Sequence, residues 1–265
     1  MNRKEKRIDE VSGLGTFNIL RFEKEEENED VKKFTADFET ATWKEDETWV
    51  WAWATCNIEN EEIEIGNTID SFIEFCKKQK NSKMYFHNLK FDGEFILYYL
   101  LKNGYTHVEN KKEVKDKTFT TLISDMGQFY QITIYFKKDN NRHVQKVEFM
   151  DSLKIIPFSV DQIAKTFGLE ISKLKIDYKE ERKKGHILTN EEKEYIKNDV
   201  LIVAKALKEI FSGGLTKMTE GSNALYDFKK IISENKFEHY FISLDKKLDE
   251  ELRKSYKGRV YLFIA

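Results

Sequence analysis

The chain has 265 residues, of which 40% are hydrophobic and 35% charged, with a formal net charge of −2. That length suits one large domain or two modest ones, and no apolar run reaches the length of a bilayer span or forms a secretory leader. A soluble cytoplasmic protein is therefore expected, and the near-neutral charge neither favours nor excludes a nucleic-acid partner.

Residues 1–32 mix charges without periodicity and end in the acidic run Glu25–Asp30, so a weakly ordered leader is expected there. From Phe34 the pattern alternates: Phe34, Ala36 and Phe38 interleave with Thr35, Asp37 and Glu39, which predicts a strand. The segments Trp49–Ile58 and Glu61–Ile65 predict two further strands of a meander. Thr68–Lys78 has helical spacing, with Ile69, Phe72, Ile73 and Cys76 on one face. Met84–Phe86 predicts a short strand, and Asp92–Lys102 a helix closed by Asn103-Gly104. Strands are expected over Thr118–Ser124, Phe129–Phe136 and Val144–Met150, then helices over Ser159–Phe167 and Asn190–Phe211. Gly213-Gly214 ends the second, and another helical stretch begins at Asn223. Pro157 falls in a loop. Cys56 and Cys76 sit in a strand-like and a helix-like run, apart from any Cys/His cluster, and read as reduced core thiols. The expected class is α/β, a mixed central sheet flanked by helices.

Three acidic groups carry the chemistry. Asp37 and Glu39 lie two apart on the first strand, so both leave the same face while Ala36 and Phe38 point into a core. Adjacent carboxylates repel, and a bound cation is the natural compensation; hard oxygen donors suit Mg²⁺ or Mn²⁺. Two solvated acids on an edge strand would show the same spacing. Asp92 opens a helix after the polar run His87, Asn88 and Lys90 at a strand's end, where α/β folds place their sites. As an N-cap alone it would contribute about 0.5–2 kcal/mol. Tyr195 and Asp199 are four apart on the long helix and share a face. Together Asp37, Glu39, Asp92 and Asp199 could hold two ions, with Asp37 bridging and Tyr195 orienting a water molecule. A phenol of ordinary pKa is a poor base, so the ions would do most of the deprotonation.

At these residues the chain resembles a known family. Asp37-Phe38-Glu39-Thr40, Asn88-x-x-x-Asp92 and Tyr195-x-x-x-Asp199 match the three motifs of DEDD 3′–5′ exonucleases of the tyrosine subtype. The segment from His87 to Gly93, Met126-Gly127-Gln128, Asp151-Ser152-Leu153-Lys154, Ile176-Asp177-Tyr178 and Lys197-Asn198-Asp199 resemble bacteriophage protein-primed family B DNA polymerases. The similarity runs from about Phe34 to Gly258. It implies a ribonuclease-H-like fold over residues 33–255 and Mg²⁺-dependent proofreading by two-metal hydrolysis at a single-stranded 3′ end. It also implies that Thr40, Tyr85, His87, Asn88, Phe91, Ser152 and Leu153 hold the strand, that Lys173 assists the cleaved phosphate, and that Tyr178 lies nearby. Ordinary packing is the other reading of Leu153 and Tyr85, and Lys175 is a neighbouring alternative to Lys173.

The resemblance has two departures. Tyr256-Lys257-Gly258-Arg259 resembles the Tyr-x-Gly-Gly linker to a polymerase domain with Arg259 in place of the second glycine. The chain then ends at Ala265, where the palm would begin, so residues 256–265 are read as the start of that linker. The family implies a phage or prophage protein in a bacterial cytoplasm. One alternative is a single-strand-binding half that works with a polymerase-bearing second chain. Another is a decayed fragment.

Overall fold

A computed structural model describes residues 31–42, 48–79, 81–137, 144–177 and 180–252. The expected leader falls almost wholly outside these residues, as do the Tyr256–Arg259 segment and Tyr178. The first alternating segment is strand β1, Lys33–Thr42, followed by β2 (Thr48–Asn57) and β3 (Ile63–Gly66). Both pairings are antiparallel, as expected of a meander. Helix α1 (Ile69–Lys78) is capped by Thr68, whose side chain accepts from the Ser71 backbone N–H. Strand β4 (Ser82–Phe86) then lies parallel to β1, and helix α2 spans Leu89–Lys102.

The second half of the sheet is β5 (Thr106–His107), β6 (Thr118–Ile123), β7 (Phe129–Phe136) and β8 (Gln145–Asp151). Among the described residues the sheet has eight strands in the order β3-β2-β1-β4-β8-β7-β6-β5. The central β1-β4-β8 pairings are parallel, while β6-β7-β8 form an antiparallel meander. Helices α3 (Val160–Thr166) and α4 (Asn190–Ser212) both start with capping boxes, Ser159 with Gln162 and Thr189 with Glu192.

Two hydrophobic layers cover the sheet. One face carries Ala36, Phe38, Met84, Phe86 and Phe149 against Phe72, Ile73 and Cys76 of α1 and Ile96 and Leu100 of α2. The other carries Trp51, Ala54 and Cys56 against Ile196, Val200, Val203 and Leu207 of α4. Cys56 and Cys76 are free and buried, one in each layer. The alternation of β1 puts Ala36 and Phe38 into the first layer and turns Thr35, Asp37 and Glu39 toward α4. The Thr35 hydroxyl donates to the Val200 carbonyl at 2.8 Å.

The chain forms two compact units, one up to Glu220 and one from Gly221. Most of helix α5 (Glu220–Ile232) and all of α6 (Glu234–Tyr240) fall in the second, where Phe228, Phe237 and Phe241 pack their rings together. No helix among the described residues is long and apolar enough to cross a membrane.

Candidate active site

The parallel register of β1 and β4 sets the position of the site. Ala36 is paired with Phe86, the last residue of β4, so Asp37 and Glu39 stand just beyond the carboxyl end of that neighbour. The register of β1 against β2 shifts between Glu39 and Thr40, a bulge that ends the regular alternation at the site. On α4, Tyr195 and Asp199 are both buried on the face that packs over β1. Carboxylate oxygens of Asp37, Glu39 and Asp199 consequently lie within 4.8 Å of one another.

Asp92 reaches the same end of the sheet from α2 but stands outside that triplet; the charges of Asp37 and Glu39 act on it. It is 3% exposed. The helix expected from Asp92 begins three residues earlier, at Leu89, with Asn88 as its N-cap in the left-handed conformation, φ 79°, so the alternative reading of Asp92 as the cap does not hold. The reason is tertiary. Asp151, at the end of β8, accepts the backbone N–H groups of Asn88 and Leu89 at 3.1 and 3.3 Å, satisfying two donors at the helix start and fixing the first turn there. Asp92 faces the other acids and also accepts from the backbone N–H groups of Phe38 and of Asp92 itself.

Electrostatics follow from the crowding. Burial, then repulsion from Asp199, pushes the Asp37 carboxyl up to about 7, opposed by Lys173 and the Phe38 backbone N–H. Burial, then Asp37 and Asp199, pushes Glu39 up to about 8. Asp92 is raised well above the carboxylate range by burial and by Asp37. Asp199 is raised by burial, opposed by Lys173, whose ammonium lies 2.8 Å from its Oδ2. The remaining oxygens Asp92 Oδ1 and Asp199 Oδ1 are buried with no hydrogen-bond partner among the described residues. Unpaired buried carboxylate oxygens are costly, and a hard divalent cation is the ligand that satisfies them. The donor set therefore fits such an ion.

Beside the acids a cleft of about 250 Å³ is lined by Asp37, His87, Ser159, Lys173 and Asp199 among others. His87 is held from both ring nitrogens. Nε2 lies 2.6 Å from the Phe158 carbonyl, which can only accept, and Nδ1 lies 3.1 Å from the Ser152 hydroxyl. Burial keeps the His87 ring below the usual imidazole range. Ser152 is fully buried and also donates to the Phe86 carbonyl at 3.0 Å. Asn88 and Phe91 are exposed at the start of α2, with the Phe91 ring 5.8 Å from Phe95. Thr40 and Leu153 are half-buried. Tyr85 is buried, its ring 5.4 Å from Phe211.

Three residues at this site escape sequence reasoning. Asp151 is the hub described above. Arg182 and Glu192 form a buried pair, Nε to Oε1 at 2.6 Å, between the segment after α3 and the first turn of α4. Glu192 had a readable signal in the Thr189-x-x-Glu192 spacing of a capping box, and Asp151 stood in a family-like motif without a role assigned to it.

The family model described as DNA polymerase type B, organellar and viral, matches residues 73–191 and 175–262. The DNA polymerase of Bacillus phage M2 is 44% identical over 228 residues, 86% of this chain and 39% of that protein. The DNA polymerase of Streptococcus phage Cp-1 is 31% identical over 242 residues, 85% of this chain and 39% of that protein. A structure of phi29 DNA polymerase complexed with single-stranded DNA matches with a TM-score of 0.77 and 42% identity, covering 84% of this chain and 39% of that one. The chain thus spans 39% of the length of these relatives. The mixed sheet with its flanking helices is the ribonuclease-H-like fold expected from the motifs.

Proposed function

The chain belongs to the type B DNA polymerase family of organelles and viruses, and on that premise we propose that it is the proofreading portion of a phage protein-primed polymerase, a metal-dependent 3′–5′ exonuclease acting on single-stranded DNA ends. The observation that carries this reading is the meeting of Asp37, Glu39 and Asp199 within 4.8 Å, from elements 160 residues apart (199 − 39), with buried carboxylate oxygens left unpaired. Asp37, Glu39, Asp92 and Asp199 would hold two Mg²⁺ or Mn²⁺ ions, which when bound polarise the phosphodiester, lower the pKa of water and stabilise the leaving oxygen.

The protein's own groups do the rest. Tyr195 orients the attacking water through its hydroxyl. Lys173, already at hydrogen-bond distance from Asp199, brings positive charge to the phosphate being released. Asn88 and Phe91, exposed at the start of α2, and Thr40 beside the bulge hold the strand end by polar contact and ring stacking, with His87, Ser152 and Leu153 shaping the cleft wall. Tyr85 supports that wall from the core, and Tyr178, outside the described residues, is assigned to the site by the family resemblance alone. The site of action is the bacterial host cytoplasm, and the working partner is the polymerase-bearing remainder of the relatives' length, in the same protein or on a second chain.

The test is digestion of an end-labelled single-stranded oligonucleotide. Wild-type protein should release 3′ nucleotides with Mg²⁺ or Mn²⁺ and not with EDTA, and Asp37→Ala or Asp199→Ala should abolish release while the far-UV spectrum is kept. A protein that binds the oligonucleotide but never shortens it would instead be a single-strand-binding module.

A further inference from the structure

Between α3 and α4 the chain runs for more than twenty residues, and residues 170–177 form neither helix nor strand. This stretch carries Lys173. A segment outside regular hydrogen-bond ladders must be ordered by other contacts, at an entropic cost of about 1–2 kcal/mol per residue. Two of its polar ties run to α4. Asn198 Nδ2 donates to the Ser172 carbonyl at 3.2 Å, and the Lys173 ammonium reaches Asp199 at 2.8 Å. Farther along, Arg182 gathers the chain from three directions. Its Nη1 donates to the carbonyls of Asp177 at 2.8 Å and Glu180 at 3.2 Å, its Nη2 to Glu180 Oε2 at 3.2 Å, and its Nε to Glu192 Oε1 at 2.6 Å.

Glu192 is itself immobilised. Its second oxygen accepts from the Thr189 backbone N–H at 2.9 Å and meets His186 Nε2 at 2.8 Å. The guanidinium packs on the Trp51 ring at 4.5 Å, and Trp49 Nε1 donates to the Arg182 carbonyl at 3.1 Å. Both charged side chains are nearly sealed, at 3% and 4% exposure. Glu192, Tyr195 and Asp199 stand at i, i+3 and i+7, one stripe of α4. The segment is therefore fastened to that stripe at both ends, by Lys173 on Asp199 and by Arg182 on Glu192, two turns or roughly 10 Å apart.

We propose that the buried Arg182–Glu192 pair is a clasp that positions the Lys173 segment, so that Arg182 and Glu192 act on the nuclease step through Lys173. The inference rests on the exonuclease reading for its kinetic half only. A planar fork is required, because one point charge cannot collect Glu192, Asp177 and Glu180 together. A surface ion pair would have little effect, whereas breaking a buried one leaves an uncompensated charge.

The experiment has two arms. In the first, hydrogen exchange is followed at residues 172–177 and, as an internal reference, in β4 and β8. Arg182→Met and Arg182→Lys should accelerate exchange in 172–177 by roughly tenfold or more, with the reference strands unchanged. Unchanged protection in 172–177 would overturn the clasp. Should the single variants not fold, Arg182→Met with Glu192→Met removes the fork without leaving a buried charge, and the same exchange criterion applies.

In the second arm, single-turnover digestion of a 3′ single strand is measured for Arg182→Met, Lys173→Ala and the double variant. The expected result is a fall in the maximal single-turnover rate constant on the order of 10- to 100-fold for each, little change in the half-saturating concentration, and a double variant no slower than Lys173→Ala. A double variant whose loss is the product of the two singles would overturn action through Lys173. If the wild-type protein shows no digestion, the nuclease reading fails while the exchange arm still decides the clasp.

Discussion

Asp151 and Asn88 lie 63 residues apart in the chain, yet the backbone N–H of Asn88 donates to Asp151 Oδ1 at 3.1 Å. The same oxygen takes the N–H groups of Leu89 at 3.3 Å and Leu153 at 3.0 Å. One carboxylate thus joins the two segments proposed to hold the strand, and it sustains the positive φ of Asn88, a conformation that non-glycine residues adopt only with support.

Replacing Asp151 by Ala should weaken oligonucleotide binding about tenfold or more and lower stability by roughly 2–4 kcal/mol, since three donors lose a charged acceptor. Asp151→Asn retains an acceptor oxygen and should restore much of both. Fluorescence anisotropy and urea unfolding measure the two effects. An Asp151→Ala protein that binds like wild type would show that the hub does not position the strand contacts.

The acidic cluster predicts an inverted dependence of stability on pH. Asp37 rises from 3.8 to about 7 and Glu39 from 4.5 to about 8 on folding, so the folded metal-free protein holds protons that the unfolded chain releases. Their contribution is fully present below the unfolded values and is lost as pH climbs through the folded ones. With EDTA, Tm should therefore fall between about pH 5 and pH 8. Mg²⁺ or Mn²⁺ must displace those protons, so saturating metal should flatten or reverse the decline and stabilise most at the alkaline end. A metal-induced rise in Tm of equal size across that range would contradict the assignment.

Lys173 opposes the raised pKa of Asp37, Glu39 and Asp199. Lys173→Met should let all three move further up, shifting the acid limb of the pH–rate profile to higher pH and raising the Mg²⁺ concentration needed at neutral pH. Activity at neutral pH should fall about tenfold or more, with partial recovery in alkaline buffer. A pH-independent loss would assign Lys173 to the phosphate alone.

Gly66, on the edge strand β3, packs where a Cβ would overlap the Trp53 indole. That ring cannot simply swing aside, because its Nε1 donates to the Ser71 hydroxyl at 2.8 Å and it packs on Phe72 and Phe75. Gly66→Ala should cost about 1–3 kcal/mol in urea unfolding and leave low-temperature digestion unchanged. Wild-type stability would mean that the indole relaxes without penalty.

Much of this was legible from local pattern. Alternation on β1 separates Asp37 and Glu39 from Ala36 and Phe38, and the four-residue spacing of Tyr195 and Asp199 puts both on one face of α4. These are consequences of strand and helix geometry, which depend only on neighbouring residues. The helix expected from Asp92 shows where that logic stops. Its first turn belongs to Leu89 because an acid from β8 supplies the cap, and no local signal at Asn88 announces it.

The sequence by itself determined the family, the alternation of the sheet, and which acids share a face, because period and motif spacing are local properties of the chain. The tertiary structure alone decided that Asp151 caps α2 and that Arg182 fastens the Lys173 segment to Glu192. Each of those depends on a side chain meeting backbone from another element, and such meetings arise only when strand order and register bring those elements to the same end of the sheet.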